Sequence, residues 1–234
     1  METIYQPALN PEKKPLTMIW LHGLGVDGSD FKFFQKELEQ FGGLDNINMV
    51  LPSAPVRDVT AAKLSMPAWY DLYTNNFLEK SEEDIDGMNE AMAFVQTIID
   101  EEREKNPDTP IILGGFSQGA AVALLAGLEQ TEPLFAIVAF SGYVPRHPRF
   151  DEISDVAKQT PIFMSHGSID SVIPLYKVEE GLVTLNQAQA NLEFHSYPMM
   201  HEVCPDEVAD LADFIQAHLA RIEEEKQAQE VEEN

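Results

Sequence analysis

Basic residues, cysteines and long apolar runs are all scarce in this chain, and each scarcity removes a class of function. Only 15 Lys and Arg stand against 40 Asp and Glu, a formal net charge of −25. Such a surface repels phosphate backbones, and no basic cluster interrupts it. Nucleic acids and anionic membrane surfaces are therefore not expected as partners. The one cysteine, Cys204, cannot form an internal disulfide. The stretch METIYQPALNPEKKP at the start lacks the basic-then-apolar pattern of a secretory leader. Together these features point to a reducing, cytoplasmic setting. The longest strongly apolar run, Ala120 to Leu128, is far too short to span a bilayer, so no stable membrane insertion is expected.

What is present suits an enzyme-sized α/β unit. The 234 residues are 44% hydrophobic, enough to bury a core. No internal repeat, low-complexity segment or linker divides the chain. Residues 1–220 read as one domain and 221–234 as an acidic tail. The tail has no apolar stripe, so it reads as a solvated helix extension or a frayed end.

Short apolar runs alternate with helical patterns. Strands are expected at Leu16 to His22, Ile47 to Leu51, Ile111 to Gly115, Leu134 to Phe140, Pro161 to Ser165 and Leu192 to Tyr197. Helices are expected at Phe31 to Phe41, around Met88 to Ile99, at Ala120 to Leu128 and at Asp206 to Leu219. Pro205 suits a first helical position, with Asp206 and Glu207 in the first turn. Residues 57–83 break both patterns and read as a long irregular segment; loops of that length are usually functional. Strands separated by helices predict a mostly parallel central sheet with helices on both faces. Chemistry in such sheets gathers beyond the carboxyl ends of the strands.

One pentapeptide stands at such an end: Gly115-Phe116-Ser117-Gln118-Gly119. It is G-x-S-x-G between a strand and a helix, the setting in which a sharp turn exposes a nucleophilic serine. The glycines relieve crowding, and the helix N-terminus favours developing negative charge. A helix-capping serine in a plain turn is the bland alternative. Serine needs an adjacent base, and His201 lies just beyond the last strand. His22 ends the first strand, His166 is assigned to a turn, His195 to a strand, and His147 and His218 to polar surroundings. The acid should fall between serine and histidine in chain order, which selects Asp170 in the turn His166-Gly167-Ser168-Ile169-Asp170. Asp151 and Asp155 do not directly follow a strand. Two N–H donors must hold the oxyanion. One is expected from Gln118, after the nucleophile, and the other from Leu24 in the early loop His22-Gly23-Leu24-Gly25. That loop lacks the Lys and third glycine of a phosphate loop. Cys204 lies close to His201, but the elbow already holds a serine. His195 and His201 lack a third metal ligand at credible spacing, so neither a metal nor a cofactor is expected.

These pieces occur with Met66-Pro67-Ala68-Trp69-Tyr70-Asp71, Ser141-Gly142-Tyr143-Val144-Pro145, Val172-Ile173-Pro174 and Met199-Met200-His201. In that order the chain resembles the acyl-protein thioesterase and carboxylesterase (phospholipase/carboxylesterase) family of α/β-hydrolases, over roughly residues 15 to 219. The resemblance implies nucleophile Ser117, acid Asp170 and base His201, with oxyanion donors Leu24 and Gln118. It implies an acyl groove flanked by the segment from Leu64 to Tyr70. Groove candidates are Leu64, Met66, Trp69, Tyr143, Ile173 and Met199, with core packing the alternative for Met66, Trp69 and Met199. Tyr143 stands where the family often has Trp. The expected activity is cleavage of esters or thioesters of hydrophobic acyl groups, on small molecules or acylated proteins, by a monomer or homodimer. Lysophospholipase activity is the nearest alternative, and a non-catalytic binding protein the one from another class. Arg146 and Arg149 are the nearest candidates for a charge clamp; without one, neutral acyl donors should be preferred over anionic ones.

Overall fold

Prolines and glycines punctuate the apolar runs, and the strands form between them. The computed structural model describes residues 2–74, 76, 82–145 and 153–232, with side chains to 229. Its strands are β1 (Thr3–Gln6), β2 (Leu16–Leu21), β3 (Ile47–Pro52), β4 (Val56–Val59), β5 (Leu64–Pro67), β6 (Ile111–Phe116), β7 (Ala136–Phe140), β8 (Ile162–Gly167) and β9 (Leu192–Tyr197). The helices are α1 (Phe34–Gly42), α2 (Ile85–Lys105), α3 (Gln118–Leu128), α4 (Asp155–Gln159), α5 (Leu175–Gln187) and α6 (Pro205–Glu232). Among the described residues none of these helices is long and apolar enough to cross a membrane.

The main sheet runs β1-β3-β2-β6-β7-β8-β9. Only β1 is antiparallel, pairing with β3; every other neighbour is parallel. Alternation along each strand sends residues to two cores. Met18 and Trp20 of β2 join Phe34, Phe140 and Phe163 beneath α1 and α6. Ile19 and Leu21 join the face covered by α2 and α3, whose Ala120 to Ala126 are all buried. Across the β2–β6 ladder, Trp20 opposes Gly114. A Cβ there would stand 2.7 Å from the indole, so the glycine makes room for the largest side chain of the core.

Several sequence expectations need correction. The segment read as irregular contains the β4–β5 hairpin, which turns through Lys63 at φ 54° and is closed by the Ala68 N–H on the Pro55 carbonyl. β1, α4 and α5 were not anticipated. His166 lies in β8 and is buried, not in a turn, because the strand continues to Gly167. The acidic tail takes the expected helix-extension form, continuing α6 through Glu232. Arg146, Arg149, His147 and Asp151 lie outside the described residues.

The start of α6 holds a buried acid. In its first turn the Cys204 carbonyl accepts the Val208 N–H at 3.2 Å, and Glu207 is completely buried, with Oε2 lacking a hydrogen-bond partner among the described residues. The Ser165 hydroxyl donates to Glu207 Oε1 at 2.5 Å. Burial pushes this carboxyl up to about 8. An unfolded glutamate releases its proton near pH 4.3. Between roughly pH 4.5 and 8 the folded chain therefore keeps a proton that the unfolded chain has lost. Stability then falls as pH rises through that window, by about 1.4 kcal/mol per pH unit for this group. Glu207→Gln keeps an acceptor for Ser165 and cannot ionise. Relative to wild type it should gain roughly 2 to 3 kcal/mol between pH 5.5 and 7.5, measured by urea unfolding. A gap that does not change with pH would contradict the assignment.

Candidate active site

β6, β8 and the loop after β9 end on the same edge of the sheet, and each delivers one polar side chain. At the end of β6 the chain reverses into α3 through Ser117, held at φ 56°, ψ −118°. A serine there is strained. The turn closes only with glycine on either side. A Cβ at Gly115 would stand 2.5 Å from the Gly119 carbonyl carbon, and one at Gly119 only 2.1 Å from the Leu21 oxygen. The Ser117 N–H donates to the Phe140 carbonyl at 2.9 Å, so β7 anchors the turn.

Asp170 follows β8. Its side chain is fully buried, and all its partners are N–H groups. Oδ1 accepts from the Val172 and Ile173 backbones at 2.7 and 2.9 Å. Oδ2 lies 2.7 Å from His201 Nδ1, and His166 Nε2 lies 3.3 Å from the same oxygen. His166 Nε2 also donates to the Ile173 carbonyl at 2.7 Å, and burial pushes its imidazole down, toward the neutral form. His201 Nε2 lies 2.9 Å from Ser117 Oγ. Ser117, His201 and Asp170 thus form one continuous hydrogen-bonded chain. The His201 ring rests on Phe116, with centroids 4.9 Å apart. Its loop lies against Gly167, where a Cβ would stand 2.3 Å from the Met199 and Met200 oxygens.

The two expected N–H donors flank this chain. Gly23 packs beside Ser117: a Cβ there would stand 3.3 Å from Ser117 Cβ. Among the described residues no acceptor takes the Leu24 N–H or the Gln118 N–H. The Gln118 side chain is occupied elsewhere. Its Oε1 accepts the Trp69 N–H at 2.9 Å and its Nε2 donates to the Tyr70 carbonyl at 2.8 Å.

The groove candidates separate by burial. Leu64 is exposed on the hairpin and Met66 half-buried near Gly25. Met199 is buried in the His201 loop. Trp69, Tyr143 and Ile173 pack inward. The Trp69 indole N–H donates to the His22 carbonyl at 2.8 Å and its ring stacks near Phe94, so it backs the Gly23 loop and presents no open surface. Tyr143 is tied to Tyr70, hydroxyl to hydroxyl, at 2.7 Å. Ile173 serves Asp170 and His166 through its backbone.

With this geometry in hand, residues 5–219 match the family model described as phospholipase/carboxylesterase. The chain belongs to the phospholipase/carboxylesterase family. Among its relatives in this family, acyl-protein thioesterase 1 of Saccharomyces cerevisiae is 36% identical, covering 87% of this chain and 93% of that protein. Acyl-protein thioesterase 1 of Mycosarcoma maydis is 31% identical, covering 92% and 98%. Among solved structures, Arabidopsis thaliana SOBER1 superimposes with a TM-score of 0.81 at 29% identity, covering 88% and 99%. Zea mays acyl-protein thioesterase 2 gives 0.77 at 25% identity, covering 93% and 99%. The family's α/β-hydrolase fold is the fold described above. The family match ends within α6, so the final turns of that helix lie outside it. Sequence reasoning missed His22, His166 and the side-chain role of Gln118. Gln118 reaches backbone 48 and 49 residues away and His22 reaches Ala54 32 residues on, while His22 and His166 also bond the nearby Gly23 and Ile173 carbonyls; no spacing rule signals which backbone group a side chain meets.

Proposed function

We propose that this phospholipase/carboxylesterase-family chain hydrolyses ester or thioester bonds of hydrophobic acyl groups, carried by small molecules or acylated proteins. Ser117 is the nucleophile, His201 the general base and acid, and Asp170 the residue that orients His201. The observation that carries this reading is the hydrogen-bonded chain Ser117–His201–Asp170 at a strained strand–helix turn.

The chemistry follows from the proton positions. Ser117 Oγ attacks the carbonyl carbon as His201 Nε2 takes its proton. The carbonyl π pair moves to oxygen, where the Leu24 and Gln118 N–H groups hold it. Collapse expels the thiolate or alkoxide, which takes the proton from His201, and leaves an acyl-serine. Water repeats the sequence and frees the carboxylate. Leu64 and Met66 supply the apolar surface for the acyl chain. The test is reaction with a fluorophosphonate and mapping of the adduct by mass spectrometry. The adduct is expected on Ser117; an adduct elsewhere, or none, would reject the reading.

Asp170→Asn should lower kcat by roughly 10³- to 10⁴-fold. The two backbone N–H groups at Oδ1 force the amide oxygen into that position, which turns the NH2 toward His201. His201 Nδ1 must then accept, the proton moves to Nε2, and Ser117 loses its base. Near-normal turnover would reject Asp170 as the orienting acid.

A further inference from the structure

We propose that His22 is a positioning residue for the oxyanion hole, holding the Gly23–Leu24 peptide so that the Leu24 N–H faces the reacting carbonyl; this rests on the reading of Ser117 as nucleophile. His22 follows β2 and is completely buried. Its Nε2 lies 2.9 Å from the Ala54 backbone nitrogen. An amide N–H can only donate, so Nε2 is the bare acceptor and the proton sits on Nδ1. Nδ1 lies 2.7 Å from the Gly23 carbonyl oxygen and donates to it. The Gly23–Leu24 bond is trans. In a trans peptide the C=O and N–H point in opposite directions. Fixing the Gly23 oxygen on the His22 side therefore turns the Leu24 N–H the other way.

That loop needs an external hold. Leu24 sits between two glycines, and Gly25 adopts φ 81°, so the backbone has little steric resistance to rotating the peptide plane. Three other contacts fix the frame. The Trp69 indole donates to the His22 carbonyl at 2.8 Å, and the two rings lie 5.0 Å apart. The Gly25 N–H donates to the Pro67 carbonyl at 2.9 Å. The Gln118 side chain grips the backbone of Trp69 and Tyr70. Residues 67–70 therefore brace both N–H donors at once. Burial pushes the His22 imidazole down, against opposing contributions from the Gly23 carbonyl, Asp27 and Asp30, which favours the neutral ring this arrangement requires.

Two substitutions separate positioning from core filling. In His22→Asn the amide nitrogen takes the place of Nδ1 and still donates to Gly23, but nothing reaches Ala54. In His22→Gln the reach toward Ala54 survives through Oε1, while no donor stands in the place of Nδ1. Kinetics on a neutral acyl ester should show His22→Gln losing roughly 10²-fold in kcat with KM within about threefold, as expected when one oxyanion donor is misaligned. His22→Asn should stay within about tenfold of wild type. An alkyl trifluoromethyl ketone adds a second reading. Ser117 Oγ bonds to its carbonyl carbon, the serine proton passes to His201, and the π pair becomes a hemiketal oxyanion. Its inhibition constant should weaken in His22→Gln in parallel with kcat/KM. Equal kcat losses in both variants, a loss confined to KM, or an unchanged inhibition constant would overturn the proposal. Nitrogen-15 correlation spectra of wild type are expected to show His22 protonated at Nδ1 and bare at Nε2. A ring protonated at Nε2 overturns the proposal even if both variants fail to fold. Fluorophosphonate mapping keeps the two failures apart. Absence of Ser117 labelling in wild type rejects the nucleophile and this proposal with it. Labelled Ser117 with unchanged kcat in His22→Gln rejects His22 alone.

Discussion

Replacing Ser117 with alanine is expected to abolish fluorophosphonate labelling and to lower kcat on a neutral acyl ester by roughly 10⁴-fold or more. What survives is binding and the two N–H donors, which still stabilise an oxyanion formed by water attack. The fold should survive intact. Alanine is also L-configured and has the same Cβ, so it meets the same strain at φ 56°, and the serine hydroxyl makes no capping bond to α3. KM should therefore change little, and thermal unfolding should shift by no more than a few degrees. Titration with a fluorescent fluorophosphonate against intact mass provides the measurement. Full-strength labelling of the variant would show that the nucleophile lies elsewhere.

His201→Gln is expected to lose on the order of 10⁴-fold in kcat or more, because the Ser117 proton then has no acceptor of suitable basicity. The control is His195→Gln. His195 sits on β9 with its ring stacked on Phe163 at 4.9 Å and Nε2 2.6 Å from Glu193 Oε1. It makes no contact with Ser117, so its loss should leave turnover within a few-fold of wild type. Both variants belong in one kinetic series at a single pH. The opposite ranking would exchange the roles of the two histidines.

The parts of this protein that were legible in the sequence are those whose cause is local. β6, the elbow and α3 announce themselves because glycines at 115 and 119 are demanded by contacts within a few residues and by one neighbouring strand. Parallel strands buried on both faces read as apolar runs, which made β2, β3, β7 and β8 visible, whereas the edge strand β9 is only partly buried. β1 was missed because Thr3–Gln6 is a short edge strand buried on neither face. The β4–β5 hairpin was missed for a related reason. Val56–Val59 and Leu64–Pro67 carry too little apolar alternation, and the hairpin is held by pairing and by the Pro55 contact. Trp69 was grouped with a groove on residue type. Its indole N–H instead finds its partner on His22, far away in the chain. His22 and His166 sit in the same motifs as Leu24 and Asp170, yet their roles depend on which backbone oxygen each ring meets. Only the folded chain settles that.

The Ser117 and His201 side chains that meet at 2.9 Å are separated by 84 residues, and the Asp170 contact spans 31 more locally. This spacing has a consequence for synthesis. A chain emerging from the ribosome exposes its elbow long before β9 and the His201 loop have left the exit tunnel. The serine of such a nascent chain has no base, and its hydroxyl is no more reactive than that of any surface serine. Hydrolytic competence should therefore switch on late, only after the stretch that carries α6 has been released and has packed against α1. Stalled chains truncated before α6 would bind a fluorophosphonate no faster than a denatured control. The order of elements along the chain thus puts the partner of the Ser117 hydroxyl among the last segments to emerge.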